Sequence, residues 1–110
     1  MIRATTPVHT FYFTFDPAEL LDHILISYAQ WGEVFLEKTE QDLAFSQKET
    51  ADGTVYAASL RLTQEETKLF TVHRGDVQLQ VRALSKTGEA LASRVFNVPL
   101  ADVLNDEVLV

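Results

Sequence analysis

Cysteine is absent from this chain of 110 residues, and glycine and proline are scarce. Without cysteine there is no disulfide, no thiolate metal ligand and no cysteine nucleophile, so packing alone must stabilise the fold. The four glycines, at positions 32, 53, 75 and 88, each fall where a turn is expected. Internal repeats and low-complexity tracts are also absent.

Basic residues are few. Nine Lys and Arg against sixteen Asp and Glu give a net charge of -7, and the basic residues are scattered. A surface this acidic is a poor partner for nucleic acid or an anionic membrane. No apolar run approaches the roughly 18 residues of a membrane span, and residues 1–8 lack the apolar core of a secretory signal. We therefore expect a soluble protein made in a cytoplasm.

What is present is ordinary globular composition, 46% hydrophobic and 23% charged, in a length that suits one domain over residues 1–110. The clearest element is a long β-hairpin over residues 76–98. Its first arm alternates apolar and polar residues from Val77 onwards, which indicates a strand with one wetter face. Gly88 supplies the tight turn, and Pro99 ends the pairing because it has no N–H to donate.

Five further strands follow from the same alternation and from turn residues. They are predicted over residues 8–15, 23–30, 33–38, 43–47 and 54–62, with tight turns at Trp31-Gly32 and Asp52-Gly53. In the third of these, Val34 and Leu36 are expected on the core face and Phe35 on the other. A capping box at Thr63 and Glu66 starts the one short crossover helix. About seven strands with one helix predict an all-β fold, an antiparallel β-sandwich of immunoglobulin-like form.

Two aromatic features allow alternative interpretations. The row Phe11, Phe13 and Phe15 is expected to be sheet core, with an exposed binding stripe as the alternative. Trp31 sits at a turn tip, where its ring either folds back on Tyr28 or Phe35 or serves as a contact for a partner.

No pattern for chemistry emerges. His9, His23 and His73 are separated and follow no metal-ligand spacing. The carboxylates lack the spacing of a calcium loop, and there is no nucleophile elbow or phosphate-binding loop. We therefore expect no enzyme, no cofactor and no metal site.

Four segments carry a resemblance: TTPVHTFYFTFD, ILISYAQWGEVFLEKTE, LTQEETKLF and VQLQVRALSKTGEALAS with VPLADVLNDEVL. Over nearly its whole length the chain resembles small, mostly uncharacterised proteins encoded in phages and prophages of Firmicutes, beside tail and structural genes. More distantly, its first part is similar to the β-sandwich N-terminal domain of phage baseplate upper proteins. The resemblance implies a structural role in a virion, in the tail or baseplate, in repeated copies. It implies a location in the bacterial cytoplasm and then in the virion.

Two functional hypotheses follow. The first is a virion structural or assembly protein whose partners are itself and other virion proteins, acting through sheet edges, the N-terminal arm and the C-terminal tail. The second is a carbohydrate- or ligand-binding sandwich module that uses Trp31, Tyr28 and nearby carboxylates. The predicted contact residues are the aromatic group Trp31, Tyr28 and Phe35, the small residues Ala90 and Ala92, and the apolar terminus Leu109 and Val110. The small residues suit a close approach by another strand or subunit.

Overall fold

Eight strands form two antiparallel sheets in the computed structural model, which describes all residues from Met1 to Val110. The strands are β1 (Val8–Phe13), β2 (Leu21–Gln30), β3 (Glu33–Thr39), β4 (Ala44–Thr50), β5 (Gly53–Arg61), β6 (Val77–Ser85), β7 (Ala90–Ala92) and β8 (Phe96–Val98). Two single-turn helices, α1 (Pro17–Leu20) and α2 (Gln64–Thr67), and two 3-10 turns, Glu40–Asp42 and Val72–Arg74, complete the chain. The predicted all-β sandwich is confirmed.

The two sheets differ in width. One contains three strands in the order β1-β5-β4; in the other, β3, β2 and β6 lie side by side and both β7 and β8 pair with β6. Strands β1 and β4 are therefore the edges of the first sheet. On the second sheet β3 forms one edge, and the short strands β7 and β8 share the other.

The predicted hairpin over residues 76–98 is present, but its return arm is split into β7 and β8. Ala92 pairs with Arg82 and Val98 pairs with Val77. Between the two pieces Ser93 maintains the connection: its N–H donates to the Val81 carbonyl at 2.8 Å, and its Oγ accepts from the Val81 N–H at 3.0 Å. This split explains why the chain has eight strands.

The core occupies one part of the sandwich. Ile24, Ile26 and Tyr28 of β2 are buried on one face, as the alternation predicts, and they pack with Leu60 of β5 and Leu79 of β6. Gln30 is also buried, and its side-chain amide donates to the carbonyls of two loop residues, Thr71 and Gly75. Only 13 of 110 residues are buried, because much of the inward face of the first sheet is not covered.

The predicted faces of β3 are partly wrong. Val34 is 47% exposed, whereas Phe35 packs against the core with its ring 6.2 Å from that of Phe70. The cause is a β-bulge: Tyr28 pairs with Leu36 and the next residue, Ala29, pairs with Val34, so Phe35 has no partner. An extra residue reverses the alternation on one side of the bulge.

Both helix starts follow their local signals. The Asp16 carboxylate accepts from the Ala18 N–H at 3.0 Å and Pro17 occupies the first helical position. At α2 the Thr63 hydroxyl accepts from the Glu66 N–H at 3.1 Å, and the Glu66 carboxylate accepts from the Thr63 N–H at 2.8 Å. The predicted capping box is confirmed, and α2 begins the connection from β5 in one sheet to β6 in the other.

The terminal segments lie together. Ile2 forms a parallel bridge with Ala101, and the Arg3 side chain, only 14% exposed, reaches across to Asp102 at 2.8 Å. Its Nε also donates to the Phe70 carbonyl at 2.8 Å. The N-terminal arm is therefore fixed by this backbone bridge and by the Arg3 side chain.

Candidate interface at the open edge of the sandwich

An apolar groove of about 710 Å³ lies between β1 and the inward face of β6 and β7. Its walls are mainly hydrophobic side chains: Phe11, Phe13 and Phe15 on one side, and Leu79, Val81, Ala83, Leu91 and Phe96 on the other. The phenylalanine row packs against the core but stays half-buried. These three rings therefore contribute to the core, as predicted, and also line the open groove.

Strand β1 presents an unpaired backbone edge to this groove. The Leu62 N–H donates to the Pro7 carbonyl at 3.0 Å, and the register then places His9 opposite Leu60 and Phe11 opposite Ala58. In an antiparallel ladder alternate residues direct both backbone groups to the same neighbour. His9, Phe11 and Phe13 thus bond to β5.

The intervening residues Val8, Thr10 and Tyr12 direct their N–H and C=O groups away from β5. No other strand pairs with β1. These three residues line the groove although their side chains are on the outer face of the sheet. The sandwich therefore has an open position beside β1, with backbone donors and acceptors along one side and apolar side chains beneath it.

Among the edge strands longer than three residues, β1 is the one without charged residues. Along β4 the chain carries Lys48 and Glu49, and along β3 it carries Glu33, Glu37 and Lys38. The remaining edge strands, β7 and β8, have only three residues each. Charges and short length are the usual protection of sheet edges against added strands. Strand β1, VHTFYF, has neither.

His9 is the one titratable side chain on the inward face of β1. Its Nδ1 lies 2.7 Å from the Tyr28 hydroxyl, and the two ring centroids are 5.6 Å apart. Burial, and then the positive charge of the N-terminus, lower the pKa of His9 below its ordinary 6.5. Burial, together with the Glu66 charge, raises the pKa of Tyr28. Both groups are neutral at pH 7, so the edge remains uncharged.

A second exposed feature surrounds Trp31, which is 72% exposed. The Arg74 guanidinium lies 5.5 Å from the Trp31 ring centroid and 4.9 Å from that of Phe35. Arg74 also donates to the Glu33 carboxylate at 3.0 Å. The Arg74 side chain, from the 3-10 turn Val72–Arg74, thus contacts the ring of Trp31 and that of Phe35 and pairs with a carboxylate of β3.

The predicted contact residues lie in different environments. Ala92 lines the groove and Ala90 is exposed on the same strand, β7. Tyr28 is fully buried, so the prediction that it lies at a partner-binding surface is wrong; its hydroxyl is used by His9 inside the fold.

The apolar terminus is exposed but belongs to no strand. Leu109 is 77% exposed, and its backbone is held by the Gln64 side-chain amide through bonds of 2.8 and 2.9 Å. Val110 is exposed as well.

Alternation predicts a strand over residues 8–15 but not that β1 is an exposed edge of its sheet. Tyr12 is 73% exposed and Val8 is 53% exposed. The available signal was the absence of any charged residue between Arg3 and Asp16. It is unusual for a strand that turns out to be an edge.

The chain holds no group of three or more His, Asp or Glu residues placed to bind a metal ion. None of its helices has the length and apolar character needed to cross a membrane. Neither a scan against protein-family models nor a search of the curated proteins returned a match.

Proposed function

We propose that this chain is a non-enzymatic structural or assembly protein that works through protein–protein contacts made at the β1 edge. The single observation that carries the proposal is the uncharged, unpaired strand beside an open apolar groove. An added strand there would gain backbone hydrogen bonds from the edge and bury alternate apolar side chains in the groove. The resemblance to phage and prophage proteins supports a proposed role in a virion, in the tail or baseplate.

Three polar side chains that line the groove, those of His9, Thr10 and Ser93, favour a binding role over a catalytic one. His9 bonds to Tyr28, Thr10 lies 3.2 Å from the Ser59 hydroxyl, and Ser93 bonds to the backbone on both sides. Each is engaged within the chain. A nucleophile or general base must instead be within reach of a substrate atom.

Mass spectrometry of purified particles tests the virion role. Particles released after induction of a host that encodes this chain should contain it at a fixed ratio to the major tail proteins. If the chain is produced in the host but is absent from purified particles, the virion role is refuted.

A second candidate function is the binding of a small apolar ligand, which the groove volume favours. About 710 Å³ falls within the roughly 300–1,000 Å³ of small-molecule sites. Titration with a fluorescent apolar probe such as anilinonaphthalene sulfonate checks this function. Ala92→Glu, which places a charge in the groove, should abolish binding, whereas Ser46→Glu on the exposed strand β4 should leave it unchanged. No saturable binding by the unmodified protein would refute it.

The carbohydrate-binding form of this candidate now rests on Trp31 and nearby carboxylates such as Glu33, since Tyr28 is buried. Binding to a glycan array that is unchanged in Trp31→Ala would exclude it.

A further inference from the structure

We infer that the occupant of the open position beside β1 is β1 of a second copy of the chain, paired antiparallel about a two-fold axis at Thr10. The inference rests on the proposed function and specifies its first partner. It joins the three-stranded sheets of two copies into one continuous sheet.

The backbone edge is its own complement in this register. With Thr10 opposite Thr10 of the second copy, Val8 of each copy lies opposite Tyr12 of the other. These are the residues whose N–H and C=O groups point away from β5. Every outward donor of β1 then meets an outward acceptor, which is the hydrogen-bonded pairing of an antiparallel ladder.

The side chains also match across the axis. On the outer face, the exposed Val8 and Tyr12 form a pair between a β-branched and an aromatic side chain, which favours pairing between strands. On the inner face, His9 of each copy lies opposite Phe11 of the other. An isologous contact of this kind closes on itself and leaves no further edge of the same type.

A second copy fits this edge better than the other apolar segment of the chain. The C-terminal segment offers only Val108, Leu109 and Val110 after two acidic residues, Asp106 and Glu107. Strand β1 offers six residues without a formal charge at neutral pH. Since each copy carries a net charge of -7, two copies approach most easily where neither has a charged side chain.

Sedimentation equilibrium of the unmodified protein and two matched variants tests the inference. Thr10→Lys places two ammonium groups opposite each other at the axis. Ser46→Lys makes the same change on β4, the other edge of the same sheet. Both positions are exposed, so neither change should alter the monomer fold.

The unmodified protein and Ser46→Lys should form dimers with the same association constant. In Thr10→Lys that constant should fall by about tenfold or more, equivalent to about 1.4 kcal/mol. Val8→Lys, at another exposed edge position, should weaken dimerisation as well and serves as the second variant if Thr10→Lys does not fold by circular dichroism.

A protein that remains monomeric at every concentration, or equal weakening by Thr10→Lys and Ser46→Lys, would overturn the inference. The virion role is tested separately. If the chain is absent from particles but dimerises through Thr10, the virion role is refuted and the dimer is supported. If the chain is present in particles but is monomeric in solution, the virion role is supported and the dimer is refuted.

Discussion

Trp31 adopts a left-handed backbone conformation, which is unfavourable for a residue other than glycine. Its φ is +52° and that of Gly32 is +75°, and together they form the two-residue turn between the paired residues Gln30 and Glu33. Asparagine followed by glycine is the favoured sequence for such a turn. For a residue with a Cβ atom the left-handed region costs about 1–2 kcal/mol. The exposed cation–π contact with Arg74 stabilises the fold by only about 0.5–1 kcal/mol.

Trp31→Asn should therefore stabilise the protein, raising the free energy of unfolding by about 0.5–1 kcal/mol, because asparagine tolerates the left-handed region. Urea unfolding followed by far-ultraviolet circular dichroism measures this, since the variant loses the one tryptophan of the chain. Trp31→Val is the contrasting variant and should destabilise. A destabilised Trp31→Asn would show that the ring contacts outweigh the backbone strain.

Glu40 connects the 3-10 turn after β3 to β2. One carboxylate oxygen accepts from the Ile24 N–H at 3.0 Å and the other lies 2.9 Å from the His23 Nδ1. The hydrogen bond from Ile24, and then that from His23, lower the pKa of Glu40 from its ordinary 4.5 to about 2. A lowered pKa means that the stabilisation is present above pH 4.5 and is lost as the pH falls toward 2.

Glu40→Gln should lower the free energy of unfolding at pH 7 by about 1 kcal/mol, the net worth of such hydrogen bonds. The full pKa shift would suggest more, but a carboxylate near solvent is screened. The difference from the unmodified protein should shrink between pH 4.5 and pH 2, as measured by urea unfolding across that range. Glu37→Gln, at an exposed position of β3, is the control. A difference that stays constant with pH would contradict this account of Glu40.

Arg3 links the N-terminal arm to the segment that follows β8 near the C-terminus. Its guanidinium bonds to the Phe70 carbonyl and to Asp102, each at 2.8 Å, while its backbone N–H donates to the Ala101 carbonyl at 2.9 Å. A carbonyl of the loop after α2 and the segment after β8 are thus linked to the arm before β1. The arm that leads into the proposed interface strand depends on this residue.

Arg3→Ala should lower the free energy of unfolding by about 2 kcal/mol, since it removes hydrogen bonds from a charged and largely buried donor. It should also expose the chain around Ala101 to limited proteolysis. Arg94→Ala is the matched control, because Arg94 only stacks on the Phe96 ring at 4.5 Å and should cost less than about 1 kcal/mol. Equal losses in the two variants would argue against the anchoring role of Arg3.

Local signals decided which elements could be predicted from the sequence. The capping box at Thr63 and the strand alternation of β2 and β6 involve neighbours in the chain, and both are confirmed. The bulge at Phe35 depends on how β3 pairs with β2, so alternation alone assigned Val34 to the wrong face. The exposure of β1 depends on which strand lies beside it. Alternation reveals a strand but not its neighbours, and the candidate interface was missed for that reason.

The whole molecule is more extended than a closed domain of its size. Its radius of gyration is 15.3 Å, with extents of 44 × 28 × 24 Å, whereas about 13 Å is typical for 100 residues. Strand β4 is exposed along its entire length, and the groove beside β1 separates the sheets on the other side. A second copy at β1 would cover the groove and leave the charged edge at β4 in solvent.

Salt should strengthen dimerisation. Each copy carries a net charge of -7, so two copies repel at low ionic strength, and the repulsion is screened within about 8 Å at physiological salt. The β1 contact itself contains no ion pair to weaken. Sedimentation at increasing sodium chloride concentration measures this effect. An association constant that falls with salt would indicate an interface built on ion pairs instead.

Amide hydrogen exchange of β1, followed by NMR at increasing protein concentration, tests the central claim most directly. The amides of His9, Phe11 and Phe13 bond to β5 in the monomer and should be protected at every concentration. The amides of Val8, Thr10 and Tyr12 should exchange rapidly in dilute protein and become protected as the concentration rises. Exchange at Val8, Thr10 and Tyr12 that stays rapid at all concentrations would contradict the account.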